Sequence, residues 1–136
     1  MTPAEKLALV QRSYDVFNAG MDIDALMPLY HPALDWRMGV AADAGTDPGR
    51  GHDGLRGLVA AIGESFESLA TAIDEARVTR EGVLLLRNHG SYRSRGTHEE
   101  HLAAGWQEVE FRDGLISTVM MLDESPAGWD QATPVA

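Results

Sequence analysis

Val83-Leu84-Leu85-Leu86-Arg87-Asn88-His89-Gly90-Ser91-Tyr92-Arg93 opens as an unbroken apolar run and then sets an arginine and a histidine two residues apart. Side chains of an extended chain alternate, so Leu85, Arg87, His89 and Ser91 share one face. Leu84, Leu86, Asn88 and Gly90 share the other. A strand that is apolar on both faces is covered on both, by a core or by a partner. This makes the segment a central strand and directs Arg87 and His89 into something enclosed. The alternative is that the strand leaves the core after Leu86 and both side chains are solvated.

Upstream, Thr2-Pro3-Ala4-Glu5 is a helix start: a Thr cap, Pro at the first helical position and Glu three residues after the cap. Leu7, Val10, Tyr14, Phe17 and Met21 follow at helical spacing, and Gly20 stands where a terminal glycine belongs. Asp22 or Asp24 caps a shorter helix running to about Tyr30, bent or delayed by Pro28 and ended by His31-Pro32. A short strand over 34–38 places Leu34, Trp36 and Met38 on one face. Residues 39–51 form a long loop, a length that often marks a lid or binding loop. The third helix spans about 53–69, with Leu55, Leu58, Val59, Ile62, Phe66 and Leu69 as its apolar stripe. The period then switches to two, giving strands over 72–79, 82–95, 100–111 and 115–122. Glu81-Gly82 and Asp113-Gly114 mark the turns, the second a strong hairpin signal. Three helices followed by long antiparallel strands make an α+β arrangement, in which a curved sheet wrapped over a long helix leaves an internal pocket.

The chain of 136 residues fits one domain, with the fold over 1–124 and a tail over 125–136. Such a chain buries roughly two-thirds of its unfolded surface, enough for one core and one small-molecule cavity. The absence of cysteine excludes disulfides, thiolate metal sites and cysteine nucleophiles, and fits a cytoplasmic protein. No apolar run reaches membrane-spanning length, and the N-terminus lacks a signal-peptide pattern. A formal charge of -10 makes nucleic acid and anionic membrane poor partners.

Several short motifs in order carry a family likeness. Val16-Phe17-Asn18-Ala19-Gly20, then Asp24-Ala25-Leu26 through Leu29-Tyr30-His31-Pro32, then Trp36-Arg37, are joined by Gly51-His52-Asp53-Gly54-Leu55 and Phe111-Arg112-Asp113-Gly114-Leu115-Ile116. Together they resemble the SnoaL-like branch of the nuclear transport factor 2-like superfamily over about residues 5–123. The resemblance implies a cone of three helices packed into a highly curved mixed sheet, an apolar pocket inside it, and a homodimer through the outer sheet face. It does not fix the chemistry, because the fold hosts isomerases, cyclases, epoxide hydrolases, dehydratases and silent binders.

Carried over residue by residue, the acid/base sets of these relatives are incomplete. The isomerase tyrosine falls on Ser13 beside Tyr14, its oxyanion aspartate on Gln107 and its base on Met38. The polyketide cyclase aspartate falls on Met121. The epoxide hydrolase arginine falls on Arg87, and its two carboxylates on His89 and Met121. The resemblance thus turns Trp36, Met38, Arg87, His89, Gln107 and Met121 toward the pocket, with Tyr14, Phe17, Val109 and Phe111 around them. His101 would line its mouth. Asp123 shares the face of Met121 and is the one acid able to replace the missing carboxylate.

An enclosed imidazole beside a guanidinium is pushed toward its neutral form and can act as a general base. Arg87 would then stabilise a developing enolate, a role worth about 2.7–4 kcal/mol of barrier. This constellation suits proton abstraction beside a carbonyl, leading to isomerisation, cyclisation or elimination on a hydrophobic, polyketide-like substrate. The competing expectation is a non-catalytic binder, with Met38 and Met121 making an adaptable wall and Arg87 holding an acidic aromatic ligand. A third is a structural or interaction protein. No cofactor is expected in any of them. His98-Glu99-Glu100-His101 lacks the helical four-residue histidine spacing of a zinc motif, so no metal is expected either. Trp106, Ala104 and Leu102 make an apolar group on the outer face that suits a dimer contact. The tail either folds back over the cone through Trp129 or stays bare.

Overall fold

A computed structural model of the chain describes residues 1–37 and 49–135. Helix α1 (Pro3–Asn18) begins on the reciprocal cap read from the sequence: Thr2 Oγ1 accepts the Glu5 amide at 3.1 Å, and Glu5 Oε1 accepts the Thr2 amide at 2.8 Å. It buries Val10, Ser13, Tyr14 and Phe17. Helix α2 (Ile23–Leu26) is capped by Asp22 and passes into a single 3-10 turn, Met27–Leu29. Pro28 sits in that turn, where its missing donor costs nothing. The chain is already extended at Tyr30, so β1 (Tyr30–Arg37) starts earlier than the expected strand over 34–38.

Helix α3 (Gly51–Ser65) also ends earlier than its apolar stripe suggested. Arg95 stops it. Its backbone amide donates to Ser65 O at 2.9 Å, and its guanidinium donates to the carbonyls of Gly63 and Phe66 at 3.1 and 3.0 Å. The helix-end acceptors are thereby satisfied from a neighbouring strand. Phe66 and Leu69 therefore belong to β2 (Phe66–Val78), paired with Ser94 and Tyr92 of β3 (Leu84–Ser94).

With β4 (Glu100–Arg112), β5 (Leu115–Leu122) and a two-residue β6 (Thr133–Pro134), the sheet runs β1-β5-β4-β3-β2-β6. Only β1 and β5 are parallel; every other pair is antiparallel. The sheet is mixed and open. Asp113 and Gly114 both take positive φ, 55° and 77°, as the two-residue β4–β5 turn demands. Leu84 and Leu86 of β3, Val109 of β4 and Val119 of β5 join the buried cluster with α1, Leu26, Leu34 and Leu55. The α+β architecture expected from the sequence is the one observed.

The tail folds back onto the outer face of the sheet. Trp129, in a 3-10 turn (Trp129–Gln131), packs edge-on against Trp106 with ring centres 4.9 Å apart. The Arg77 guanidinium lies 4.2 Å over the Trp129 ring, donates to the Trp129 carbonyl at 2.8 Å and pairs with Glu75 at 2.6 Å. Val135 N donates to Ala76 O, fastening the last residues to the edge of β2. Trp106, expected to lie open on the outer face, is thus partly covered by its own chain, while Leu102 stays 84% exposed. No helix among the described residues is long and apolar enough to cross a membrane.

Trp129→Ala removes the ring that joins Arg77 to Trp106. We expect a loss of about 3 kcal/mol, the lower range for deleting a large buried aromatic, read as a lower urea midpoint with an unchanged native circular dichroism spectrum.

Candidate functional site

Alternation along β3 decides what the concave face presents. Leu84 and Leu86 are core residues, so Asn88, two further on, points the same way and is itself buried. On β4 the equivalent positions are Gln107 and Val109. Asn88 stands opposite Gly105, where a Cβ would lie 3.3 Å from Asn88 Oδ1, so glycine leaves the amide its room. Gly90 serves a similar end: a Cβ there would meet Ala70 O at 2.7 Å.

These side chains bound a cavity of about 380 Å³ between the concave face, α1 and α3. Val10 and Phe17 of α1, Leu58 and Ile62 of α3, and Val109 and Val119 of the sheet supply much of its apolar wall. One hydrogen-bonded chain crosses it. Asn88 Nδ2 donates to the Tyr14 hydroxyl, and that hydroxyl donates to Gln107 Oε1, each at 2.8 Å. Gln107 Nε2 donates to Met121 Sδ at 2.9 Å. Ser13 and Tyr30 share a second bond of 2.5 Å between their hydroxyls. Burial pushes the Tyr14 phenol up to about 12, an effect only partly offset by its bond from Asn88. Burial raises Tyr30 further still, against its bond with Ser13.

Trp36 is the exception to this internal pairing. Its ring packs between Phe17 and Tyr30, at centroid distances of 6.4 and 6.0 Å. Its indole Nε1 is buried and has no hydrogen-bond partner among the described residues. Such an orphan donor is uncommon and calls for a specific explanation.

The expected placement of Arg87 and His89 is overturned. Their face is the outer one. Arg87 is half exposed with a guanidinium nitrogen 3.7 Å from Glu75 Oε1, and His89, 60% exposed, sets Nδ1 2.6 Å from Asp74 Oδ1. His89 borders the cavity, but its imidazole is turned to Asp74. The side chains of β3 alternate as expected, with Leu84, Leu86 and Asn88 as the inner set. Leu85 explains the reversal: it is on the outer face yet only 1% exposed, between Arg77 and Glu108 in register and close to the docked tail. The apolar run is covered on both sides without both sides meeting the cavity.

Tyr14, Phe17, Trp36, Gln107, Val109 and Met121 do line the cavity together, whereas Phe111 does not and has the Lys6 ammonium 5.6 Å from its ring centre. Met38 lies outside the described residues, as do Asp43 and Asp47 of the expected loop. His101 stacks on Tyr92, with ring centres 5.1 Å apart, and sets Nε2 3.1 Å from Ser94 Oγ. Tyr92 faces the cavity and His101 reaches it only through that ring. Asp123, just beyond β5, is exposed and borders the cavity. His98 pairs with Glu67, and the described residues hold no group of three or more His, Cys, Asp or Glu able to bind a metal. Sequence reasoning missed Asn88, and its signal was an amide continuing the Leu84, Leu86 face of an apolar strand.

No curated protein matches this sequence. Among solved structures, TerC co-crystallised with polyporic acid superposes with a TM-score of 0.74 at 15% identity, over 88% of this chain and 92% of that one. An NTF2-like protein of unknown function from Burkholderia pseudomallei gives 0.75 at 16%, over 91% and 92%. A putative polyketide cyclase from Xanthomonas campestris pv. campestris gives 0.64 at 20%, over 88% and 90%. These likenesses speak for the fold. The sequence profile of the SnoaL-like domain matches residues 10–119, most of the chain, and the protein belongs to the SnoaL-like family.

Proposed function

We propose that the protein binds a small, largely apolar, ring-bearing molecule inside the cone, with one acceptor oxygen of that molecule on Trp36 Nε1. The orphan indole donor carries this reading. A buried N–H with no acceptor costs about 1–3 kcal/mol, and a ligand oxygen met by a small turn of the Trp36 ring, which lines the cavity, would relieve it. The remaining buried polar groups are paired with one another, so the rest of the wall favours hydrocarbon. The likeness to TerC and to a putative polyketide cyclase is consistent with ligands of this kind.

A second reading is cyclase-type proton transfer. Asp123 favours it as the one carboxylate in the described lining, with solvent access to return a proton. His89 has no part in it, because its imidazole is outside.

The probe is 2-acetylnaphthalene, a two-ring ketone small enough for the cavity. Calorimetric titration is expected to give saturable one-to-one binding. Ile62→Trp, which fills the cavity from α3, abolishes it without lowering the denaturation midpoint by more than the substitution's own strain. Trp36→Phe keeps a ring but removes the donor, and weakens the ketone about tenfold, or about 1.4 kcal/mol. Absence of saturation in the unmodified protein would sink the reading.

Deuterium uptake into the acetyl methyl group, followed by proton NMR in D2O, separates binding from catalysis. The expected outcome is no acceleration over buffer. Acceleration lost in Asp123→Asn would favour the second reading.

Tyr14 supplies a pH signature. Its folded proton is held to about pH 12 against about 10 in the unfolded chain, so between these values the folded state binds more protons. Stability is therefore full below pH 10 and falls as pH rises toward 12. Tyr14→Phe makes that decline shallower. It also costs about 1–3 kcal/mol at pH 7, because Asn88 and Gln107 lose their shared partner.

A further inference from the structure

We infer that the cavity selects uncharged ligands carrying a carbonyl-type acceptor and rejects the matching carboxylates. The inference rests on the reading of the cavity as a ligand site and adds to it the charge and the polar group of the ligand. It replaces the acidic ligand that an inward Arg87 would have held.

The first support is the whereabouts of positive charge. No lysine or arginine is among the described residues that line the cavity. Arg87 and Arg77 are tied to Glu75 on the outer face, Arg95 to the end of α3, Arg93 to Glu100, and Lys6 to the Gly82 carbonyl. Residues 38–48, which follow β1 in the chain, contribute two aspartates and no Lys, Arg or His to the sequence. Asp123 borders the cavity, and the chain as a whole carries -10. A carboxylate entering here would leave its water for a wall without a counter-charge, under a negative field.

The second support is the kind of polar atom on offer. Trp36 Nε1 can only donate, and it has no hydrogen-bond partner among the described residues. Gln107 Nε2 donates to a thioether sulfur, a weak acceptor that a ligand oxygen can replace. Two neutral donors in an apolar wall fit a ketone, quinone or lactone oxygen. They do not compensate a full negative charge. The buried phenols keep their protons at neutral pH, so they add no charge of either sign.

The test uses three aromatics of nearly equal size with the full-length protein at pH 7: 2-acetylnaphthalene, 2-ethylnaphthalene and 2-naphthoate. Calorimetry is expected to rank the ketone first, the hydrocarbon about tenfold weaker and the carboxylate at least about 100-fold weaker than the ketone. Met121→Arg, which sets a cation into the wall beside Gln107, is expected to raise the affinity for 2-naphthoate and lower that for the ketone. A carboxylate binding as tightly as the ketone would overturn the selectivity and leave the ligand site standing. Saturation by none of the three would overturn the ligand site and the selectivity with it.

Discussion

The hydroxyl of Tyr14 joins the first helix to both middle strands of the sheet at once. It accepts from Asn88 on β3 and donates to Gln107 on β4, and all three groups are buried. A buried amide without a partner is expensive, so two amides on neighbouring strands and one phenol on a helix have to meet or none can stay. This fixes the height of α1 over the sheet and the inner face of both strands. Everything that lines the cavity follows from that choice of face. An apolar core alone would tolerate α1 sliding by a fraction of a turn, whereas the shared hydroxyl does not.

The same choice sorts the charges. With Asn88 inside, Arg87 and His89 have to be outside, where β2 provides Glu75 and Asp74. The outer face thus becomes a lattice of ion pairs, and Arg77 carries it on to the tail through Trp129. Pairs this exposed stabilise little individually. Their effect on the site is indirect: cations held on the outside are cations withheld from the cavity. The described lining is left with neutral polar groups, most of them paired with one another, the Trp36 ring with its buried indole N–H, and Asp123 at the border.

The order and kind of the elements were legible because each had a local chemical signature. The reciprocal Thr2–Glu5 cap, the Asp113-Gly114 turn and the two-residue alternation are determined within a few residues of chain. The end of α3 was not. Phe66 and Leu69 continue the spacing of Ile62 because a strand leaving the helix still faces the same interior, and only Arg95, thirty residues on, marks the stop. The inner face of β3 was hidden for a related reason. Leu85 looks like core from its neighbours in sequence, and its partner in register, Arg77, is the residue that holds Trp129 of the tail more than forty residues away. The acidic pair Asp74-Glu75 was the available clue, since an exposed cationic face on one strand needs an anionic one beside it. Six of the expected lining residues survived the reversal because they lie on α1, β1, β4 and β5, whose inner faces were read independently of β3.

Geometry also weighs binding against catalysis. Trp36 pairs in register with Val119 of β5, and Asp123 follows the end of that strand at Leu122, so the strand itself sets them apart by about 10 Å along its axis. An aspartate side chain is short, and abstraction beside a carbonyl needs a carboxylate oxygen within hydrogen-bond reach, about 3 Å between heavy atoms. The carbon next to a carbonyl anchored on Trp36 is therefore beyond Asp123 unless the indole and the carboxylate lean toward each other across most of the cavity. A rim base can act on the far end of a ligand about three fused rings long, whose reacting carbon is not the one adjacent to the anchored oxygen. Enolisation at the anchored carbonyl has no base within the described lining at that depth, since the phenols there hold their protons. On the proposed reading, the spacing of Trp36 and Asp123 favours binding of a carbonyl compound over proton abstraction beside the anchored oxygen.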